Sequence, residues 1–200
     1  MDRLSVVFFI TILNIIVYIC WLISSSTGFG VSYMFQNFLI SWNGLSLGRF
    51  WTLLTSVFSH ISFIHIFLNM YVLNSFGPVL ERILGAKAFL KFYLVAGIFS
   101  SFVHAIVSSY LLRMPELPAL GASGAISGLI VFFSLLFPKQ IILLFGIIPM
   151  YAFFGSMLFV GLDLWGLAMQ AKGGGLPIGH GAHLGGALCA IVYYFIYKFF

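Results

Sequence analysis

The amino-acid sequence predicts an all-α membrane protein, a polytopic bundle of six transmembrane helices. Of the 200 residues, 62% are hydrophobic and only 6% are charged, whereas soluble domains carry about 25% charged residues. A soluble fold of this length has too little interior to bury so much apolar surface. The apolar residues also form stretches of about 20, the length that a helix needs to cross a bilayer core about 30 Å thick. The chain therefore uses lipid as its solvent.

The predicted helices follow one another along a single domain. We expect the first stretch to remain a helix and not to be a signal peptide, because it is long and no small-residue cleavage site follows it. Residues 25–50 mix glycine, asparagine and serine with aromatics, which favours a loop in the membrane interface. Pro149 is expected to begin the fifth helix, and the glycines at 173–175 separate it from the sixth. The predicted bounds are about 4–24, 61–80, 88–111, 120–137, 149–169 and 179–200.

Lysine and arginine in the short loops predict the orientation, because cytoplasmic loops carry an excess of both residues. With the N-terminus inside, six basic residues lie on the cytoplasmic side and three on the outer side. We therefore expect a multi-pass protein with a cytoplasmic N-terminus, and the lack of a soluble appendage favours a prokaryotic cell (inner) membrane. The six are Arg3, Arg82, Lys87, Lys91, Lys139 and Lys198, and the three are Arg49, Arg113 and Lys172.

Composition and motifs also exclude several classes of site. The formal charge of +5 is spread thinly without a basic run, so a nucleic-acid partner is not expected. Cys20 and Cys189 lie in apolar stretches near opposite ends of the chain, which is typical of packing residues and not of a disulfide framework. His180 and His183 resemble a metal pair, but no HExxH motif, cysteine or carboxylate completes a set in the sequence. No metal and no cofactor are expected.

Polar side chains inside a membrane are costly and are therefore candidates for a functional site. The predicted topology places Ser123, His183 and His65 in the fourth, sixth and second helices, at a similar depth below the outer face. Asn69 follows His65 by four residues, so the two lie on one side of their helix. Two further histidines are expected to have structural roles: His60 and His104.

These residue types together are able to carry out acyl transfer. A serine hydroxyl is a poor nucleophile until a base removes its proton, and a neutral imidazole suits that task near pH 7. Ser123 is the expected nucleophile and His183 the expected base. The oxyanion formed by attack on a carbonyl needs fixed donors. The candidates are the backbone N–H of Ser123, the Asn69 amide and a ring N–H of His65.

Glycines flank both members of this pair. Gly124 and Gly128 lie four residues apart beside the serine, and Gly181 and Gly185 lie four apart beside the histidine. Small residues at this spacing let helix backbones approach closely. Gly121 precedes the serine by two residues. The pattern predicts the close contact of the fourth and sixth helices that a short serine side chain needs to reach a histidine.

Four segments in this order resemble the signatures of the rhomboid family of intramembrane serine proteases. They are His60…His65…Asn69, FGPVLERILG at 76–85, GASG at 121–124 and AHLGG at 182–186. The resemblance runs from about Trp51 to the C-terminus. It implies a six-helix, rhomboid-like bundle that cuts membrane proteins in or near a transmembrane segment with a Ser–His dyad, without metal or cofactor. Ser123 is then the nucleophile, His183 the base and later the acid, and His65 with Asn69 bind the oxyanion.

Two positions depart from the pattern of the family. Thr52 follows Trp51 where the family often has an arginine. Ser127 stands where an aromatic residue often packs on the catalytic histidine, and we expect this change to loosen the orientation of His183. Asp163 in the fifth helix is a candidate third member of a triad, although the resemblance implies a dyad that has no acid.

Two alternatives stay open. A non-catalytic rhomboid-like protein that binds membrane clients typically lacks the serine or the histidine, and a small-solute transporter leaves the ordered motifs unexplained. The expected partners are the lipid bilayer and membrane proteins with a helix-destabilised transmembrane segment, because a helix hides its carbonyl groups in backbone hydrogen bonds. Water must reach Ser123, so we also expect a hydrophilic cavity.

Overall fold

The computed structural model describes residues 5–144 and 146–199 and confirms an all-α polytopic bundle. Five helices within those residues are long and apolar enough to cross a membrane. Arg3, Leu4 and Phe200, which the predictions of orientation and helix ends include, lie outside the described residues. The helices are α1 (Val6–Thr27), α2 (Val31–Phe38), α3 (Trp42–Ser46), α4 (Thr52–Thr55), α5 (Phe63–Leu84), α6 (Ala86–Ile106), α7 (Ser123–Leu136), α8 (Ala152–Ala171) and α9 (His180–Phe199).

The fourth predicted span is the short helix α7. Its 14 residues extend about 21 Å at 1.5 Å per residue, less than a bilayer core about 30 Å thick. Most of its side chains are buried, and it contacts α5, α6, α8 and α9. Because other helices cover its surface in place of lipid, α7 is able to begin inside the bundle. Its first residue therefore lies among the neighbouring helices.

The fifth predicted helix begins later than expected, because a hairpin precedes it. Strands β1 (Ile141–Leu144) and β2 (Ile148–Tyr151) pair antiparallel, and Pro149 lies in β2 opposite Leu143. Proline lacks an N–H and is tolerated at the edge of a sheet. The amide of Ala152 donates to the carbonyl of Gln140 at 2.8 Å, which closes the hairpin where α8 begins.

The segment 25–50, predicted as an interfacial loop, contains the short helices α2 and α3. Ile40 pairs with Ala119 in an isolated antiparallel bridge, with N···O distances of 2.9 and 2.8 Å. Ala119 lies just before α7. The bridge therefore fixes this segment beside the N-terminus of α7.

Residues 76–85, at the end of α5, contact the start of α1. The Glu81 carboxylate accepts hydrogen bonds from the amides of Val6 and Val7 at 2.8 and 3.2 Å. These amides belong to the first turn of α1 and have no acceptor within the helix. Gly77 packs directly against Val7, and Gly85 ends α5 with a φ of 78°, which only glycine adopts freely. The segment at 76–85, one of the four that resemble the rhomboid family, thus has a structural role.

Helices α7 and α9 meet through their backbones. A Cβ on Gly186 would overlap the carbonyl oxygen of Gly124, and a Cβ on Gly128 would lie 3.1 Å from the carbonyl oxygen of Gly186. We expected Gly181 and Gly185 to form this contact. They face the other neighbouring segment instead: an added Cβ would lie 3.0 Å from the side chain of Val107, just after α6, and 2.8 Å from that of Val103 in α6. Glycines on both faces of α9 thus allow close packing against two helices.

Replacing Gly186 by alanine should destabilise the protein by about 1–3 kcal/mol, because the added methyl forces α7 and α9 apart. Gly161→Ala in α8 is the control, since no atom of the described residues lies within 4 Å of its Cβ position. That change should be neutral or stabilising by up to about 1 kcal/mol. Denaturant unfolding in detergent micelles, followed by circular dichroism, measures both. Equal effects of the two changes would contradict the contact.

Candidate active site

Ser123 and His183 lie together at the start of two neighbouring helices. Ser123 is the first residue of α7, and His183 lies in the first turn of α9. The Ser123 hydroxyl is 2.9 Å from His183 Nε2, a distance at which it donates a hydrogen bond to the ring. The structure therefore brings the predicted nucleophile and base into direct contact.

Two further contacts hold His183 in place. The ring of Phe159 in α8 stacks on the imidazole, with centroids 5.6 Å apart and planes inclined by 28°. The Ser127 hydroxyl donates to the backbone carbonyl of His183 at 2.8 Å. Ser127 thus ties α7 to α9, and the aromatic contact comes from another helix. These two contacts argue against the expected loosening of His183, which stays a prediction.

Asp163 of α8 contacts two histidines of α9. Its Oδ1 accepts hydrogen bonds from Nδ1 of His183 at 2.9 Å and from Nδ1 of His180 at 2.7 Å. The Asp163 side chain is only 7% exposed. Sequence reasoning named Asp163 as a candidate partner of His183 but not of His180, because Asp163 precedes the two histidines by 20 and 17 residues on another helix. The ligand atoms of all three lie within 4.8 Å of one another, a spacing that also suits a cation.

His60 and Asn69 form a buried pair beside the turn that precedes α7. The Asn69 amide donates to His60 Nε2 at 2.9 Å, and the Ala122 amide approaches the same nitrogen at 3.4 Å. His60 is completely buried and Asn69 is 5% exposed. His60, expected to be structural, is therefore the direct partner of a predicted oxyanion residue. One N–H of the Asn69 amide is thus used to hold His60 beside this turn.

His65 lies beside this pair. Its ring packs edge-on against His60, with centroids 4.8 Å apart, and lines the same cavity as Ser123 and His183. A Cβ on Gly121 would lie 2.6 Å from His65 Cε1, and Gly121 has a φ of 116°. Only glycine fits at this position, two residues before the serine. Within the described residues, the His65 ring makes no hydrogen bond, so the one N–H of the neutral ring is free to donate.

The start of α7 supplies backbone donors at the same place. The first amides of a helix have no acceptor within it and carry the positive end of the helix dipole. Ala122, the residue before the helix, provides no side-chain cap. The amides of Ser123 and Gly124 are thus available to a developing oxyanion, together with the His65 ring.

A cavity of about 740 Å³ opens beside the pair. A water molecule occupies about 30 Å³ in the liquid, so the cavity has room for water and for an extended peptide segment. Ile40 and Leu39 of the segment before α3 form one wall, and Ile178 before α9 forms another. Several polar side chains also line it: Ser56, His65, Ser100, Ser101 and His104.

His60 makes the stability of the fold dependent on pH. Burial, with the neighbouring His65 as a second cause, lowers the pKa of His60 from 6.5 to about 3. His60 precedes α5 and is neutral in the folded protein, so its Nε2 accepts from Asn69. The unfolded chain binds a proton on His60 more tightly than the folded protein does. The contribution of His60 to the unfolding free energy is therefore complete above about pH 6.5 and is lost progressively as the pH falls toward 3.

We expect the unfolding free energy of the protein to fall below pH 6.5 by up to about 1.4 kcal/mol per pH unit from this residue. His60→Gln keeps an acceptor but has no proton to bind, so it should lose that part of the slope. Denaturant unfolding of both proteins between pH 7 and pH 4.5 measures the difference. A stability gap that stays constant over this range would contradict the assignment.

Comparison with known proteins identifies the family. The model of the Rhomboid domain matches residues 47–198, about three quarters of the chain. The chain is 32% identical to "RHOMBOID-like protein 12, mitochondrial" of Arabidopsis thaliana, over 96% of this chain and 57% of that protein. It is 34% identical to "Presenilin-associated rhomboid-like protein A, mitochondrial" of Danio rerio, over 90% and 45%, and 34% identical to "Rhomboid protein 1, mitochondrial" of Saccharomyces cerevisiae, over 71% and 40%.

These relatives also correct one prediction. The chain spans about half the length of the curated relatives it matches. All three are named as mitochondrial proteins of eukaryotes, so the predicted prokaryotic cell membrane is wrong, and the cytoplasmic assignment of the N-terminus falls with it. The multi-pass membrane fold is retained. With its matching domain and these relatives, the chain belongs to the rhomboid family.

Proposed function

We propose that this protein is an intramembrane serine endopeptidase in which Ser123 is the nucleophile and His183 the general base. The observation that carries the proposal is the 2.9 Å contact between the Ser123 hydroxyl and His183 Nε2. It lies beside a cavity at the start of an enclosed helix. Membership of the rhomboid family supports it.

The reaction follows from the donors and acceptors around the pair. His183 Nε2 takes the hydroxyl proton while Ser123 Oγ attacks the substrate carbonyl. The oxyanion is stabilised by the Ser123 amide and a His65 N–H. The protonated Nε2 then gives its proton to the leaving amine, which breaks the C–N bond and leaves an acyl-serine. A water molecule from the cavity hydrolyses that ester with His183 again as base.

The substrate is a membrane protein whose transmembrane segment unwinds near the cut. A helix keeps each carbonyl in a hydrogen bond to the amide four residues on, and Ser123 attacks only a carbonyl that has left this ladder. The names of the relatives favour a mitochondrial membrane as the location. The side chains that line the cavity beside Ser123 and His183 recognise the substrate.

Purified protein in detergent or liposomes should cleave a reporter transmembrane substrate. Ser123→Ala and His183→Ala should each reduce the rate by at least about 10³-fold, because the nucleophile or its base is removed. Ser134→Ala is the matched control, because this hydroxyl also lies on α7 and donates, among the described residues, only to the Ile130 carbonyl. Wild-type rates are expected in this control and in the presence of a metal chelator.

Cleavage that survives Ser123→Ala would contradict the proposal. Folded wild-type protein that cuts no reporter, yet binds membrane clients, would favour the non-catalytic rhomboid-like role. Transport of a solute that is unaffected by Ser123→Ala would favour the transporter.

The reporter should be cut more slowly when its helix is strengthened at the cleavage site. Replacing a Gly-Gly pair there by Leu-Leu stabilises the helix by about 1.5–2 kcal/mol, which predicts a decrease in rate of about tenfold or more. The same replacement placed two helical turns away is the control and should leave the rate unchanged. Equal rates for all three substrates, measured at low substrate concentration, would argue against cleavage of an unwound segment.

A further inference from the structure

We infer that Asp163, His180 and His183 form an inhibitory zinc site, an inference that rests on the proposed function. The three side chains offer one carboxylate oxygen and two ring nitrogens, and these atoms lie within 4.8 Å of one another. Asp163 Oδ1 is 2.7 Å from Nδ1 of His180 and 2.9 Å from Nδ1 of His183. No metal was expected from the sequence, because no carboxylate lies next to the two histidines along the chain. Helix α8 supplies one in space.

The set of donor atoms suits Zn²⁺. Zinc binds imidazole nitrogen and carboxylate oxygen at about 2.0–2.2 Å in a tetrahedron, and water takes the fourth position where the protein supplies three ligands. Tetrahedral ligands at these bond lengths lie about 3.4 Å apart, so the two distances from Asp163 Oδ1 need to lengthen by only about 0.5–0.7 Å. Mg²⁺ and Ca²⁺ prefer oxygen ligands alone and are not expected here.

Two buried atoms of this cluster point to a ligand. Among the described residues, Asp163 Oδ2 and His180 Nε2 are buried and have no hydrogen-bond partner. The two side chains are only 7% and 8% exposed. One carboxylate oxygen thus accepts from both histidines while the other accepts nothing, an uneven arrangement for a desolvated carboxylate. A cation held between the rings would interact with both carboxylate oxygens.

Two helices and one missing side chain build the cluster. His180 and His183 lie in the first turn of α9, with ring centroids 6.5 Å apart and ring planes at 86°. A Cβ on Gly166 would overlap the His180 ring, so this glycine lets the ring lie against α8 beside Asp163. His183 also lines the cavity of about 740 Å³, which provides a path for an ion from water.

Zinc at this position removes the base of the proposed reaction. In the metal-free protein the Asp163 carboxylate only accepts hydrogen bonds, so His183 carries its proton on Nδ1 and directs the Nε2 lone pair at Ser123. A metal ion bound to Nδ1 uses the lone pair of that nitrogen, and the proton of the neutral ring moves to Nε2. His180 shifts its proton in the same way, so no proton is released. Nε2 of His183 then donates and no longer accepts the serine proton.

Zinc should therefore inhibit cleavage reversibly. Protein made metal-free with a chelator is assayed on the reporter substrate while buffered free Zn²⁺ is raised. We expect the rate to fall at least about 100-fold at saturating zinc, because the general base is lost, and to recover when chelator is added.

Two histidine variants test the location of the zinc, each measured against its own metal-free rate. His180→Asn keeps an N–H for Asp163 but removes a ring nitrogen, so half-inhibition should need at least about tenfold more zinc. His104→Asn is the matched control, because this histidine is buried and lines the cavity outside the cluster. It should keep the zinc sensitivity of wild type.

A second readout does not depend on turnover. Ser123→Ala protein in detergent is titrated with Co²⁺, which takes the place of zinc and absorbs visible light with an intensity that reports tetrahedral coordination. We expect the tetrahedral spectrum at one Co²⁺ per protein, and its loss when Zn²⁺ is added. Adding His180→Phe, which keeps a ring but removes both nitrogens, should abolish the spectrum; thermal unfolding confirms that this protein is folded.

Three results would overturn the inference: cleavage that zinc does not inhibit, equal zinc sensitivity in His180→Asn and wild type, or no tetrahedral Co²⁺ spectrum from folded Ser123→Ala protein. A loss of cleavage with chelator that zinc restores would overturn it as well, because the metal would then be required. If wild type cleaves and Ser123→Ala does not, these results remove the zinc site alone. An inactive wild type removes the proposed function and the inhibition with it, while the Co²⁺ titration still decides whether the three side chains bind a metal.

Discussion

The close approach of α7 and α9 is the constraint on which the site depends. A serine side chain is short, so its hydroxyl reaches an imidazole on another helix only when the two backbones nearly touch. Gly124, Gly128 and Gly186 make that approach possible, because any Cβ at Gly186 would overlap a carbonyl oxygen of α7. The 2.9 Å contact between Ser123 and His183 follows from this packing. The geometry of the candidate site and the packing of the two helices therefore depend on the same glycines.

Hydrogen bonds link the polar side chains of the site to one another. His60 binds Asn69 beside the start of α7, and Asp163 binds both His180 and His183 at the start of α9. Such groups are costly in a membrane unless they are paired or face a water-filled cavity. Pairing keeps them at fixed positions as well, so the same hydrogen bonds that offset desolvation also orient the reactive side chains.

Ser123, His183, His65 and the all-α membrane fold were predictable because they lie in local motifs and long apolar runs. Phe159 and Gly186 were not, since each acts through a contact with a different helix, and sequence spacing does not show which helix faces which. Asp163 was noticed, but its partners depend on the rotation of α8 against α9. The hairpin at 141–151 was missed because a short apolar run suits a strand and a helix equally well. The relatives, and not the residues, corrected the location.

The position of α8 has a consequence for control. This helix packs against α7, α9 and the hairpin, while much of its surface is exposed. Phe159 and Asp163 both lie on it, so a small outward displacement of α8 would remove both restraints from His183 at once. Ser123 would keep its place, and the imidazole would be free to rotate. The movement of one helix would thus change the orientation of His183 and leave Ser123 in place.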